Sequence, residues 1–353
     1  MKKIICYFLL FVIIIFIVPS LLAKPTKAVG TDINEENKNE SKSLQEGQDN
    51  SQEQRISNED NKEVTNNQNN KYSNIKLLHT KTNEVEEIGL EEYIKNVVSG
   101  EMPADFEIEA LKAQAIVART YTLYKINDKK HGNADICDDS KCCQAWISKE
   151  DRLAKWEESE RENRWRKIEQ CVEETKGKVI TYNNQPINAF FHSNSGGTTE
   201  IPKEVWGGDN FPYLQVVQTA GEEGYTQYSS EVSYTNNDLL IKLKEKYSDI
   251  QIDFNSNEDI KILEYTGSGR VRTIKFGNHN LSGVETRNIL GLKSANFEII
   301  KNAGIINFKV KGYGHGVGMS QTGADSLAKE GKNAEDIIKH FYKDVEIKDI
   351  NSL

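Results

Sequence analysis

Residues 71–353 predict an α+β fold. Helical and strand-like stretches come in blocks, which argues against a doubly wound sheet. The Ala-rich stretch EALKAQAIVARTYTLY reads as a closely packed, buried helix. Hairpin signals at Asn183-Asn184-Gln185-Pro186 and Gly267-Ser268-Gly269 mark a β-rich second half, and no internal repeat is present. The length suffices for one large domain or two packed lobes around a groove.

Taken in order, two short strands are expected at Asn74–Leu78 and Val85–Ile88. A short helix, Leu90–Val98, ends at a break marked by Gly100 and Pro103. Asp105 can cap the long helix, Phe106–Asn127. A polar loop, Asp128–Cys143, leads to one further helix, Lys149–Thr175, carrying Trp156, Trp165 and Ile168. Strands Lys178–Tyr182 and Ile187–His192 flank the first hairpin signal. Tyr213–Gln218, Ile260–Tyr265 and Arg272–Phe276 are further strand candidates, with short helices at Leu239–Tyr247 and Ser282–Leu290. The end reads as a strand (Ile305–Lys311), a Gly-rich turn, two helices (Met319–Lys329, Ala334–Tyr342) and a last strand.

The first seventy residues are different material. Residues 4–23 run without a charge after Lys2 and Lys3, and twenty apolar residues in a helix span roughly 30 Å, the thickness of a bilayer's hydrocarbon core. A cleaved signal peptide would have a shorter apolar run and small residues at the cut. Leu21 and Ala23 make a poor cleavage pair, so an uncleaved anchor is expected, with residues 1–3 on the cytoplasmic side. Residues 31–70 hold ten acidic and four basic residues and no aromatic. Such a segment buries too little to offset its ordering entropy, so residues 24–70 read as a polar tether. The net charge of −9 and the lack of a basic stripe argue against nucleic acid as a partner.

Several side chains could carry chemistry. Glu101 sits in the break between two apolar helices; a carboxyl in such surroundings resists ionising and can donate a proton near neutral pH, as glycosidic cleavage requires. The alternative is an ordinary solvated glutamate. Arg119 lies on the Ala-rich helix, where it could hold a substrate oxygen or form a structural ion pair. His131, Cys137, Cys142 and Cys143 offer imidazole and thiolate within thirteen residues, which suits zinc. A disulfide from Cys142 or Cys143 to Cys171 is the rival. Two Gly-rich loops remain, His192–Gly197 and Gly312–Gln321. In the second, His315 and Gln321 stand where a helix begins, a natural place to bind oxygen groups, although a purely structural turn is equally consistent. Ser193 and Ser195 lack a nucleophile-elbow sequence, and neither a P-loop nor a dinucleotide fingerprint is present.

The motifs SGEMP (99–103), LKAQAIVARTY (111–121), CDDSKCCQAW (137–146), FHSNSGG (191–197) and GYGHGVGMSQTGA (312–324), in this order, resemble the stage II sporulation protein D family of endospore-forming bacteria. The resemblance implies a lytic transglycosylase that degrades peptidoglycan during forespore engulfment, with Glu101 as catalytic acid. It implies a zinc ion on His131, Cys137 and Cys143, with Cys142 standing where relatives often carry His. It implies a substrate or catalytic role for Arg119, and a groove lined by Tyr313, His315, Gln321 and the loop of Ser193 and Ser195. It also implies glycan strands lacking stem peptides as substrate, and stage II sporulation proteins P (an amidase) and M (a membrane protein) as partners. The expected location is the mother-cell engulfing membrane, with the catalytic domain outside the cytoplasm facing septal peptidoglycan. The same domain type occurs in amidase enhancers, so a non-catalytic peptidoglycan-binding module is the rival reading, and a zinc hydrolase a third.

Overall fold

The computed structural model describes residues 72–353. The expected anchor and tether lie outside the described residues. Among the described residues, no helix is long and apolar enough to cross a membrane.

The chain begins with an antiparallel pair, β1 (Asn74–His79) and β2 (Glu84–Gly89), and runs directly into α1 (Leu90–Glu101). The helix continues three residues past the expected end, through Gly100. Pro103 disfavours helical dihedrals at the residue before it, and Met102 is extended at φ −120° and ψ 144°. The stop therefore falls at Glu101. Next comes α2 (Ile108–Ile126), in which every residue from Ala110 to Leu123 except Lys112 is buried. A helix apolar all round belongs at the centre of a domain, and α1, α4 (introduced below) and the two C-terminal helices pack against it. Its internal hydroxyls are satisfied locally, Thr120 by the Ile116 carbonyl at 2.7 Å and Thr122 by that of Ala118 at 2.8 Å. The expected cap, Asp105, pairs instead with Arg164 at 3.1 Å. The amide of the N-cap residue just before α2, Glu107 N–H, donates to Asp325 Oδ1 at 2.6 Å, a partner from the far end of the chain.

The loop after α2 is pinned by β3 (Ile136–Cys137), which pairs parallel to β1. The expected single helix over 149–175 is two: α3 (Lys149–Lys155), capped by Ser148, and α4 (Arg161–Glu174). No Gly or Pro marks the break. Trp156 leaves the helix as an extended residue, its ring lies beside the guanidinium groups of Arg152 and Arg164, and Arg161 Nε–H donates to its carbonyl at 2.9 Å.

β4 (Lys178–Tyr182) and β5 (Gln185–Pro186) form the expected hairpin, with Asn183 and Asn184 both at positive φ, as a two-residue primed turn requires. The expected second strand, Ile187–His192, does not form as such: the pairing with β4 falls on Gln185–Pro186, inside the expected turn, and residues 187–190 are in no strand. β6 (Phe191–His192) leaves the hairpin and pairs parallel with a strand from the second Gly-rich loop. After α5 (Pro202–Trp206), the segment 213–218 is not a strand; it makes a single bridge, Gln218 to Thr198.

Residues 229–311 build a second hydrophobic core. β7 (Ser229–Thr235), α6 (Asn236–Lys244), β8 (Ile260–Tyr265), β9 (Val271–Phe276), β10 (His279–Ser282), α7 (Gly283–Leu290), β11 (Phe297–Asn302) and β12 (Ile305–Lys311) make two three-stranded sheets, ordered β10-β9-β8 and β11-β12-β7. Both connections to the first lobe are neighbouring strands, since Ser229 pairs with Lys311 and Gly312 N–H donates to the Tyr228 carbonyl at 2.6 Å. This lobe is therefore an insertion. The chain returns through β13 (Met319–Ser320), α8 (Gln321–Lys329), α9 (Ala334–Phe341) and β14 (Glu346–Asp349) to complete the first core. Helices and small sheets in separate blocks make the fold α+β.

Candidate active site

Two cavities meet at Glu101, Ser193 and Gln321. One, of about 380 Å³, is lined by Met102, Phe106, Arg152, Trp156 and Gln227. The other, of about 520 Å³, is lined by Tyr121, Lys141, Phe190, His192, Arg287, Tyr313 and His315. Together they form a groove along which an extended ligand could lie, and Glu101, where the two meet, is the one carboxyl among the described residues lining either half.

Glu101 is the last residue of α1, so the negative end of the helix dipole disfavours its ionised form. Burial acts in the same direction and raises its carboxyl to about 7. Two donors oppose the rise without reversing it: the Ala145 N–H, 2.5 Å from Oε1, and the Gln321 side chain. Gln321, the first residue of α8, is buried and also donates from Nε2 to Gln114 Oε1 at 3.4 Å. It therefore orients the acid as well as lining both cavities.

The Ala145 amide is held by the loop before it. His131, Cys137, Cys142 and Cys143 bring one ligand atom each to within 4.8 Å of one another. His131 Nε2 lies 3.2 Å from Cys143 Sγ and 3.8 Å from Cys142 Sγ. Sulfur ligands about 2.3 Å from a tetrahedral zinc stand roughly 3.8 Å apart, so three thiols and one imidazole fit that ion. The rival disulfide is not formed. The four described cysteines are free, and Cys171 is buried with its Sγ 3.7 Å from the Ile108 carbonyl. Gln144, between Cys143 and Ala145, donates to Tyr93 at 3.0 Å and Thr122 at 2.9 Å, locking the loop onto α1 and α2.

The Gly-rich loops pack against each other instead of leaving their amides free for a ligand. A Cβ on Gly318 (φ 72°) would fall 1.9 Å from the Phe190 carbonyl, and one on Gly314 (φ 118°) would fall 2.8 Å from His192 Cβ. His315 faces the groove with its nitrogens occupied: Nδ1 accepts from Val317 N–H at 3.1 Å, and the Phe191 backbone engages the ring as well. Burial, aided by the neighbouring His192, Arg287 and Arg270, holds it well below its usual range. The ring therefore offers its face, not its nitrogens. Trp206, which the sequence reading overlooked, is 51% exposed and lies 4.7 Å from Phe190 and 5.0 Å from His315. With the exposed Tyr313 they give the groove an aromatic edge on which sugar faces can stack.

His192 was also overlooked. Its Nδ1–H donates to the Val317 carbonyl at 3.1 Å, and burial, aided by Arg270, pushes the imidazole down to about 3. Its Nε2 is buried and has no hydrogen-bond partner among the described residues.

Two expected site residues lie elsewhere. Arg119 is 0% exposed and lines neither cavity. Its Nε and Nη2 grip Glu91 at 3.0 and 2.6 Å, and Nη1 donates to the Lys178 carbonyl at 3.0 Å. Glu91 is on α1, so Arg119 can influence Glu101 only by holding that helix. Arg119→Ala is expected to cost about 3–5 kcal/mol of stability, measured by urea unfolding, because it strands a partly buried carboxylate. Ser195 is likewise internal. Its hydroxyl bonds Thr219 and Glu222, and only Ser193 of the pair reaches the groove. Glu222 is a buried anchor for both loops. It accepts from Ser195 N–H (3.1 Å), Gly197 N–H (3.0 Å), Thr219 Oγ1 (2.8 Å), Thr322 Oγ1 (2.9 Å) and the Ser320 hydroxyl.

The fold and site thus define an α+β domain that holds a half-buried carboxyl in a groove beside a thiol–imidazole cluster. A family model described as "Stage II sporulation protein" matches residues 78–182, which contain Glu101 and the four-donor loop. Stage II sporulation protein D of Bacillus subtilis (strain 168) is 37% identical over 281 residues, covering 79% of this chain and 80% of that protein. Its namesake in Bacillus amyloliquefaciens is 35% identical over 283 residues, covering 79% of each. An amidase enhancer of Bacillus subtilis (strain 168) is 28% identical over 298 residues, 70% of this chain and 39% of that protein. The chain belongs to the stage II sporulation protein D family, and its role is in sporulation.

Proposed function

We propose that the protein is a peptidoglycan lytic transglycosylase with Glu101 as its acid and base. The observation that supports this most is the solitary carboxyl. Retaining and inverting glycosidases need a second carboxylate as nucleophile or base, and among the described residues no other carboxyl lines the groove. One acid suffices when the attacking group belongs to the substrate. Glu101 protonates the glycosidic oxygen as the bond to muramic acid C1 breaks. The resulting carboxylate then takes the proton of that sugar's own C6 hydroxyl as its oxygen closes on C1, leaving a 1,6-anhydro end. Ser193, which lines both halves of the groove, would hold a sugar hydroxyl, and the aromatic edge would hold ring faces.

On this reading His131, Cys137, Cys142 and Cys143 hold one zinc ion. Four protein ligands make a closed, structural site, which disfavours the zinc-hydrolase reading; the ion would fix the loop that presents the Ala145 amide to Glu101. One zinc per chain is expected by elemental analysis. Cys143→Ser should lower both metal content and melting temperature, while Cys171→Ser keeps the metal. Peptide-free glycan strands as substrate, the sporulation proteins P and M as partners, and a membrane-tethered location facing septal peptidoglycan belong to the same proposal. Mass spectrometry of digested peptide-free strands tests it. The reading requires 1,6-anhydro ends, whereas ordinary reducing ends, or no cleavage at all, would overturn it in favour of a hydrolase or a binding module.

A further inference from the structure

Arg287 is a feature of the groove that the proposed chemistry leaves unused. It projects from α7 of the inserted lobe, so that lobe supplies a cation to the cavity in which the first lobe supplies the acid. Its helix is well fixed. Ser282 caps the start by accepting from Glu285 N–H at 3.0 Å, Gly291 closes the end at φ 63°, and Thr286 and Leu290 are buried. Yet the half-buried guanidinium forms no hydrogen bond or ion pair among the described residues. The acid two residues before it, Glu285, is taken by Lys246 and Tyr247. Other arginines near the lobe boundary are partnered: Arg270 by the Ser195 and Thr198 carbonyls, each at 2.8 Å, and Arg272 by Glu204 at 2.6 Å. A guanidinium drawn partly out of water without a partner is costly, which marks the place for an anion brought by the ligand. The remaining cation of that cavity, Lys141, is exposed.

A glycan strand of alternating N-acetylglucosamine and N-acetylmuramic acid carries one kind of charge, the carboxylate of the muramic lactyl ether. That group is a free anion only where the stem peptide has been removed; otherwise it is an amide. The planar fork of arginine matches a carboxylate in a way that an amide cannot satisfy. We propose that Arg287 binds the free lactyl carboxylate of a muramic acid in the groove and thereby selects peptide-free strands. The assignment rests on the transglycosylase reading for its substrate.

The test measures binding without turnover. Full-length Glu101→Gln protein is titrated with peptide-free oligomers and with the same oligomers after conversion of the lactyl carboxyl to its methylamide. The carboxylate form should bind about 10- to 100-fold tighter. Adding Arg287→Gln should reduce the carboxylate form to the methylamide's affinity and leave the latter unchanged, and Arg287→Lys should fall between. The proposal is overturned if the parent binds both forms equally, or if Arg287→Gln keeps the preference. A misfolded variant would lose both ligands, and Arg287→Lys then decides. Because no product is read, absence of anhydro ends from the unmutated protein would sink the transglycosylase reading while leaving this result standing.

Discussion

Glu101→Gln should lower the rate of 1,6-anhydro product release by about 10²- to 10⁴-fold, the usual weight of a positioned acid–base group. The amide keeps the shape and still accepts from Ala145 N–H, but it has no proton to give the leaving oxygen. The fold should survive, and its pH dependence supplies a second readout. Glu101 is raised from 4.5 to about 7, so the folded chain binds this proton more tightly than the unfolded one. Its contribution to stability is complete below pH 4.5 and is lost as pH rises through about 7. On the proposed mechanism catalysis follows the same proton, and kcat/KM for the unmutated protein should fall on the alkaline side with an apparent pKa near 7. Glu101→Gln removes that contribution to the stability profile. An alkaline limb in activity that persists in a residually active Gln variant would assign the proton to another group.

Glu222→Ala should cost about 3–5 kcal/mol, read from denaturant unfolding, as large a loss as that expected for Arg119→Ala. It would strand the Ser195 amide and take the shared acceptor from the Gly197 amide and from the hydroxyls of Ser195, Thr219, Ser320 and Thr322 in a dry interior. Burial by itself would raise this carboxyl, but the donors outweigh it and hold it below its ordinary 4.5. The sign is opposite to that of Glu101. The stabilisation is present above pH 4.5 and is lost as acid carries the pH down through the depressed value. Glu222→Gln should therefore flatten the acid side of the stability curve as well as lowering its plateau. An unchanged acid limb would mean the network holds the loops through hydroxyl contacts alone.

What the sequence made legible follows the range of each signal. Strand pairs, hairpin asparagines and the three-cysteine loop are local, and they appear in the structure close to where the sequence places them. Long-range pairings are not local. The partner of Arg119 lies on another helix, and nothing in LKAQAIVARTY distinguishes a guanidinium aimed at Glu91 from one aimed at a sugar. Phe191–His192 looks like the end of a hairpin strand, but it pairs with Met319–Ser320 because the Gly-rich loops fit face to face. The break at Trp156 has no breaker residue and arises from ring and guanidinium packing. Trp206 had a usable signal: Pro202 and Gly207 bracket a single helical turn whose last residue is a large aromatic. Arg287 had none, since a basic residue in the last turn of a surface helix is ordinary.

Arg270 has a consequence for how the molecule comes apart. Its side chain, rooted beside β9 of the inserted lobe, ends among main-chain oxygens of the other lobe, and nearby Thr266 and Ser268 donate to Glu200. Separating the lobes would leave a cation and several carbonyls facing one another with nothing between them but incoming solvent. Neither half is therefore expected to survive excision as a stable fragment. Heating should produce one shared calorimetric transition, and a protease should find no resistant intermediate at the junctions near residues 228 and 312.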